Sequence, residues 1–254
     1  MEEKRQGLSS FALKRVAVIS MIIDHVGSIF IRGMLEPLKV DGVIGVGPGS
    51  PQWVRWAFLG REVCEILGSI AFPIFCFLMA EGFIHTRDRK KYTLRMLLFA
   101  LLSEVPFDLA HYHTFFRLSL QNVMFTLTVS LLTLMALDWA ERRAGESKGL
   151  YWALTAVITA AGMTLAYLIR GEYVFLGVLT VALLYLLRDK GKLRLLSLVP
   201  LLVASPWILL AVPFLLAYNG SRGKGSKWFF YVFYPVHFLA LVALAQLAAG
   251  LVTA

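Results

Sequence analysis

The sequence predicts an all-α fold, a polytopic bundle of transmembrane helices, and three observations carry the prediction. The 254 residues are 58% hydrophobic and only 16% charged, a composition unlike that of ordinary soluble domains. Apolar stretches of about 20 residues, the length that crosses a bilayer as a helix, recur along the whole chain. The bases behind the net charge of +9 gather in short loops between those stretches, the pattern that orients membrane helices rather than one that grips nucleic acid. A single integral membrane domain over residues 1–254 follows, with membrane lipid as its surroundings and no nucleic-acid partner.

The first predicted span is Phe11–Ile31. Lys14 and Arg15 at its start and Asp24-His25 within it mark a permanent span rather than a cleavable signal peptide. The polar stretch Arg32–Glu62 contains Asp41-Gly-Val-Ile-Gly-Val-Gly-Pro-Gly-Ser-Pro51, whose glycines and prolines oppose a helix, and Trp53 and Trp56 read as interfacial. A second span covers Val63–Ile84, with a kink expected at Pro73. The basic loop Thr86–Arg95 leads to a third span, Thr93–Phe107, which Pro106 should end or kink. Leu118–Leu137 is the fourth, followed by a mixed-charge loop, Asp138–Lys148. Leu150–Ile169 and Tyr173–Leu187 are the fifth and sixth. Leu193–Tyr218 carries Pro200, Pro206 and Pro213 and suits either one kinked span or a re-entrant hairpin. The last span is Trp228–Ala249. The count is eight spans, or nine if Leu193–Tyr218 crosses twice. A cytoplasmic N-terminus puts most of the lysine and arginine inside a cell (inner) membrane. The loop Asn219–Lys227 joins them only if Leu193–Tyr218 turns back. Cys64 and Cys76 are about 18 Å apart on one helix, too far for a disulfide.

Against that apolar background the polar residues stand out. A carboxylate at mid-bilayer costs on the order of a few kcal/mol, so Asp24-His25 reads as a site. Lys14 shares the His25 face, about 16 Å nearer the cytoplasmic boundary, whereas Asp24 points about 100° away. Glu81 and His85 end the second span at the basic loop, where Arg87, Arg89, Lys90 and Lys91 could cradle phosphate. Glu104 and Asp108 share a face at the end of the third span, and Gln121-Asn122 opens the fourth. Glu172 opens the sixth. Tyr218-Asn219-Gly220 is a turn, and Phe230-Tyr-Val-Phe-Tyr-Pro-Val-His237 places Tyr234 and His237 in the last span. His111 and His113, in an outer loop with no third ligand, do not make a metal site. His25, His85 and His237 show no pairing at matching depth, so neither metal nor haem is expected.

These residues resemble the TraX family, named for a conjugation protein linked to N-terminal acetylation of F-pilin. The resemblance rests on Leu13-Lys-Arg-Val-Ala-Val-Ile-Ser-Met-Ile-Ile-Asp-His25, Ile70-Ala-Phe-Pro-Ile-Phe75 and Ala80-Glu-Gly-Phe83. It continues through Thr86 to Tyr92, Ser103-Glu-Val-Pro-Phe-Asp108, Gln121-Asn122, Tyr218-Asn-Gly220 and the Phe230–His237 motif. One departure is Gly171-Glu-Tyr173, where many relatives carry Asp-Tyr-Gly. TraX-like proteins are similar to integral membrane acyltransferases, which often place a basic residue and a histidine on the first helix as Lys14 and His25 are placed here.

The resemblance implies an enzyme that moves an acetyl group from acetyl-CoA to an amine or hydroxyl acceptor on a pilin, peptide or glycan. His25 is then a general base or an acyl carrier, oriented by Asp24 or Glu104, with Asn122 polarising the thioester. Lys14, Arg87, Arg89, Lys90, Lys91 and Tyr92 would bind acetyl-CoA. A non-enzymatic chaperone of pilin-like subunits and a small transporter are the alternatives from other classes.

Overall fold

A computed structural model of the chain describes residues 6–39, 49–225 and 227–253. It is all-helical, with no strand among the described residues and two isolated β-bridges, Leu8 to Tyr218 and Gln121 to Gly171. Helix α1 (Ser10–His25) starts where the Ser9 hydroxyl accepts the Ala12 N–H at 3.2 Å, a cap worth about 1 kcal/mol. It widens into a π-helical segment, Val26–Ile31, and runs on through α2 (Arg32–Leu35) and a 3-10 turn, Glu36–Leu38. The helical path thus passes the expected stop at Ile31. The glycine-rich part of the stretch, Asp41–Gly47, lies outside the described residues.

Helix α3 (Gln52–Gly68) and helix α4 (Ala71–His85) replace the single second span. The chain breaks at Ser69–Ile70, just before Pro73. In the first turn of α4 proline lacks only a donor that has no partner there, whereas a helix running through Ser69 would clash with its ring. The first part of α3, Gln52–Glu62, falls in the stretch expected to be non-helical, and the rest in the expected second span. Its Trp53 and Trp56 are exposed, as interfacial tryptophans should be. Gly27 and Gly68 let α3 lie close to the first helix: a Cβ on Gly27 would strike Cys64, and one on Gly68 would strike Asp24.

Helix α5 (Arg89–Tyr112) is capped by Asp88 and passes straight through Pro106. The turn beyond that proline buries Phe107, Asp108 and Ala110, and this packing outweighs the lost hydrogen bond. Helix α6 (Val123–Ala144) starts at Asn122 and carries the expected mixed-charge loop as its last turns, ending at Gly145 with φ 54°. Helices α7 (Lys148–Ile169) and α8 (Val174–Leu186) match expectation within two residues.

The Leu193–Tyr218 region is a hairpin. It consists of 3-10 helices Gly191–Val203 and Pro206–Ala211 and the short helix α9 (Val212–Leu216). Arg194 Nη1 lies 2.5 Å from Glu81 Oε1, and the Tyr218 hydroxyl donates to Glu81 Oε2 at 3.1 Å. Both ends of the segment therefore meet at one carboxylate. Its middle, Ser205, sits 3.3 Å from Ser69 at the other end of α4, about 18 Å away along that helix. The hairpin brings Asn219–Gly225 back beside the start of α1, where Ser10 N–H donates to Ser221 and Phe11 N–H to Arg222. Helix α10 (Lys227–Thr253) closes the bundle against α5.

Among the described residues five helices are long and apolar enough to cross a membrane: Ser10–Leu38, Gln52–His85, Val123–Ala144, Lys148–Ile169 and Trp228–Val252. The protein is thus a membrane helix bundle. The other expected crossings take different forms. Helix α5 has 24 residues but carries Arg95, Glu104 and Asp108, α8 has only 13 residues, and the hairpin turns back. The main core cluster fully buries Leu13, Ile74, Phe83, Leu131, Leu184 and Phe238, and a smaller one gathers Val129, Ala166 and Val178. One end of the bundle gathers the Thr86–Lys91 turn, Arg142, Arg188 and Arg222 and is strongly basic.

Candidate active site

His25 sits where α1 gives way to the π-helical segment, 9% exposed. Such widened turns recur at functional sites. Its Nδ1 lies 2.6 Å from Nε2 of His237 on α10, with the rings stacked at 4.9 Å between centroids. His237 Nδ1 in turn lies 3.2 Å from the Phe233 carbonyl. Phe238 packs on His25 at 4.8 Å, and His111 meets it edge-on at 6.4 Å. His111 belongs to the last turn of α5, bonded through Nδ1 to the Phe107 carbonyl. The expectations that His25 and His237 have no partner at matching depth, and that His111 lies in an outer loop, are corrected. Three helices bring three imidazoles together, and among the described residues no group could hold a metal ion.

Asp24 is nearer to His25 than the helical wheel implies. Its Oδ2 is 3.9 Å from His25 Nε2, and its side chain is 37% exposed. With Glu62, Glu65, Ser69, Ser205 and Trp207 it lines a cavity of about 470 Å³, at the tip of the hairpin. Asp24 therefore stands between this cavity and His25 Nε2, and the cavity wall carries three carboxylates. Glu62 and Glu65 were not singled out from the sequence; the fold of α3 against the first helix brings them to Asp24.

The carboxylates of α5 do other work. Glu104 Oε2 accepts from Asn122 N–H and from Asn122 Nδ2 at 2.5 Å, while Asn122 Nδ2 also donates to the Ala100 carbonyl at 2.9 Å. Asn122 Oδ1 accepts the Met124 N–H at 3.1 Å. With its amide hydrogens committed and 0% exposure, Asn122 anchors the start of α6 to α5 and has no donor left for a thioester carbonyl. Glu104 meets Asn122 and not His25, whose Nδ1 partner is His237. Asp108 accepts the Arg117 backbone N–H at 2.6 Å, and Gln121 donates to the Arg117 carbonyl at 3.3 Å; both fix the α5–α6 turn. Glu172 follows Gly171 in the neighbouring turn, where its N–H donates to the Gln121 carbonyl. Tyr173 stacks on Phe72 at 3.6 Å, and Tyr234 is 5% exposed beside Phe238.

At the basic end Arg87, Arg89 and Lys90 line a second cavity, about 660 Å³, with Asp88, Asp138 and Arg142. Arg89 pairs with Asp138 at 2.6 Å and Lys91 with Asp88 at 3.2 Å. The Asp88 carboxylate also caps α5 through the Lys91 N–H. That hydrogen bond and the Lys91 ammonium hold it below the usual carboxylate range. Tyr92 packs against Gly82, and the Lys14 ammonium lies 5.7 Å from the Phe230 ring. Glu81 and Tyr218 form the hairpin clamp with Arg194. Asn219 Nδ2 donates to the Gly7 carbonyl at 3.2 Å, and its Oδ1 accepts the Ser221 N–H at 3.0 Å, which makes the expected turn.

The sequence profile described as TraX protein matches residues 9–245 of the chain. The chain is also similar to a protein of Dichelobacter nodosus named "Probable fimbrial assembly protein FimC, serogroup H1", with 29% identity over 260 residues, covering 94% of this chain and 96% of that one. No solved structure matches it.

Proposed function

The chain belongs to the TraX family, and from that premise we propose that it is an integral membrane acetyltransferase acting in pilus assembly. It moves an acetyl group from acetyl-CoA to an amine or hydroxyl acceptor, on a pilin subunit, a peptide or a glycan. It sits in the inner membrane with its N-terminus and its basic end in the cytoplasm. The observation that carries this reading is His25: a buried imidazole held by a second imidazole at 2.6 Å, beside a cavity of about 470 Å³. A site of that build fits proton transfer or acyl carriage better than ion coordination.

In the reaction His25 removes the proton from the acceptor as the C–N or C–O bond forms. The C–S bond breaks, and the proton passes on to the CoA thiolate. Acyl carriage by His25 splits the same balance into two steps. Acetyl-CoA docks its phosphates at Arg87, Arg89, Lys90 and Lys91, with Lys14 between that end and His25. The acceptor enters at the Asp24 cavity.

Purified protein incubated with acetyl-labelled acetyl-CoA tests this. Release of free CoA is expected with the wild type, and label on His25 marks the carrier route. His25→Ala should abolish transfer while the protein still inserts and folds; full activity in that variant would sink the proposal. Absence of acetyl-CoA turnover in folded wild type points instead to the chaperone or transporter readings. Neutralising Arg87, Arg89 and Lys90 together should raise KM for acetyl-CoA, and an unchanged KM removes the phosphate assignment.

A further inference from the structure

We propose that His237 is the positioning residue that presents His25 with Nε2 as its unprotonated, reacting nitrogen. The consequence for acyl transfer rests on the reading above, but the arrangement is argued from hydrogen-bond polarity alone. A carbonyl oxygen only accepts. The Phe233 carbonyl, 3.2 Å from His237 Nδ1, therefore requires the proton on that nitrogen. In a neutral imidazole the other nitrogen is then a lone-pair acceptor. His237 Nε2 is that acceptor, and it faces His25 Nδ1 at 2.6 Å. His25 Nδ1 must carry the proton of this bond, which leaves the lone pair on His25 Nε2.

The opposite polarity needs an imidazolium at His237, donating from both nitrogens. Among the described residues no carboxylate pairs with His237 to offset that charge. The nearest acid to the pair, Asp24, lies at the far nitrogen of His25, 3.9 Å from Nε2. Around the pair stand Phe233, Phe238, Tyr234 and His111, with Phe107 behind Phe238, an aromatic wall in which an uncompensated charge is costly.

The resulting chain has a direction. It starts at a helix carbonyl, passes through His237, and ends at His25 Nε2 beside the Asp24 cavity. When Nε2 takes a proton, the Nδ1–H becomes more acidic and its bond to His237 strengthens. Asp24 then stands where the new charge appears. His237 thus does in neutral form what a carboxylate commonly does for a catalytic imidazole.

Nitrogen-15 NMR of histidine-labelled protein in lipid nanodiscs at neutral pH reads the tautomer of His25 directly, assigned by its absence in His25→Ala. The wild type should show the Nδ1–H form. His237→Phe keeps the stacked ring but not the acceptor, and should move His25 to the Nε2–H form. His237→Gln, whose side-chain carbonyl can accept, should restore the wild-type tautomer. In turnover His237→Phe should lower kcat at least tenfold with KM for acetyl-CoA unchanged, and His237→Gln should recover most of it. An Nε2–H tautomer in the wild type overturns the inference without any variant. An unchanged tautomer in His237→Phe overturns it equally. Tautomers as expected in a protein that transfers no acetyl group would leave the inference standing and remove only the acyltransfer reading.

Discussion

Glu81 and His25 both bring polar side chains into the apolar interior, and their surroundings differ in kind. Around Glu81 each oxygen meets its complement: Oε1 takes the Arg194 guanidinium and Oε2 the Tyr218 hydroxyl. Arg194 is 7% exposed, donates from Nε to the Leu184 carbonyl at 2.8 Å and lies over the Phe77 ring. Around His25 the bonding runs in one direction and stops at Nε2, with a carboxylate at 3.9 Å and a cavity beyond it. The closed cluster ties the two ends of the hairpin to α4. The open one ends at Nε2, with Asp24 between it and the cavity. Polar groups at membrane depth are costly in both cases, so each needs a reason: architecture for the first and, under the proposed function, chemistry for the second.

The sharpest way to break this comparison is to remove one member of each cluster. Arg194→Ala leaves Glu81 charged beside Tyr218 alone, and removing one partner of a buried pair typically costs about 3–5 kcal/mol. A large fall in thermal midpoint and in folded yield is expected. His25→Ala leaves His237 bonded to Phe233 but takes the donor from its Nε2, so the midpoint should fall clearly less than in Arg194→Ala while acetyl transfer is lost. Replacing the pair by Glu81→Leu with Arg194→Met should recover much of the stability lost in Arg194→Ala, since apolar substitution of a whole buried pair is often neutral. If Arg194→Ala melts like the wild type, or His25→Ala fails to fold, the division into closed and open clusters is wrong.

The sequence disclosed these two clusters unequally. Asp24-His25 was legible because ionisable residues inside an apolar run carry an energetic cost that composition alone reveals. Helices α7 and α8 were legible because long apolar runs end at Arg170-Gly171 and at Arg188. The His25–His237 contact was not legible: counted from helix starts, the two differ by about 7 Å in depth, and only the packing of α10 on α1 closes the gap. The hairpin was left open between two forms because 26 residues fit either, and the deciding fact is a tertiary one, the shared contact of Arg194 and Tyr218 with Glu81. The first half of α3 escaped notice because Arg55, Arg61 and Glu62 make it too polar for a span, and the passage through Pro106 because packing of the following turn overrides a local rule.

Asn122 offers an intermediate case. It is buried and closed like Glu81, yet neutral. Asn122→Ala takes the side-chain donor from Glu104 Oε2 and the Ala100 carbonyl and the acceptor from the Met124 N–H, which costs about 1–3 kcal/mol for an unsatisfied buried group. Thermal melts should place this variant between wild type and Arg194→Ala. Any fall in acetyl transfer should track the loss of folded protein. A variant of wild-type stability with kcat reduced a hundredfold would return Asn122 to the reaction centre.

Asp88 extends the comparison to a polar cluster in water. Its carboxylate is charged, caps α5 and meets Lys91, but solvent screens it, so its effect on stability should be the smallest of the set. The sign follows from its depressed folded-state value. Stability from this group is fully present above the ordinary aspartate value of about 3.9 and is lost as pH falls through the lower value of the folded protein. Asp88→Ala should therefore lower the thermal midpoint slightly at neutral pH, and the gap between variant and wild type should close in acid. Because the cap also shapes the turn that presents Arg87, Arg89 and Lys90, KM for acetyl-CoA should rise modestly with kcat unchanged. A gap that widens in acid contradicts the assigned sign. An unaltered KM means that the turn keeps its shape without the cap.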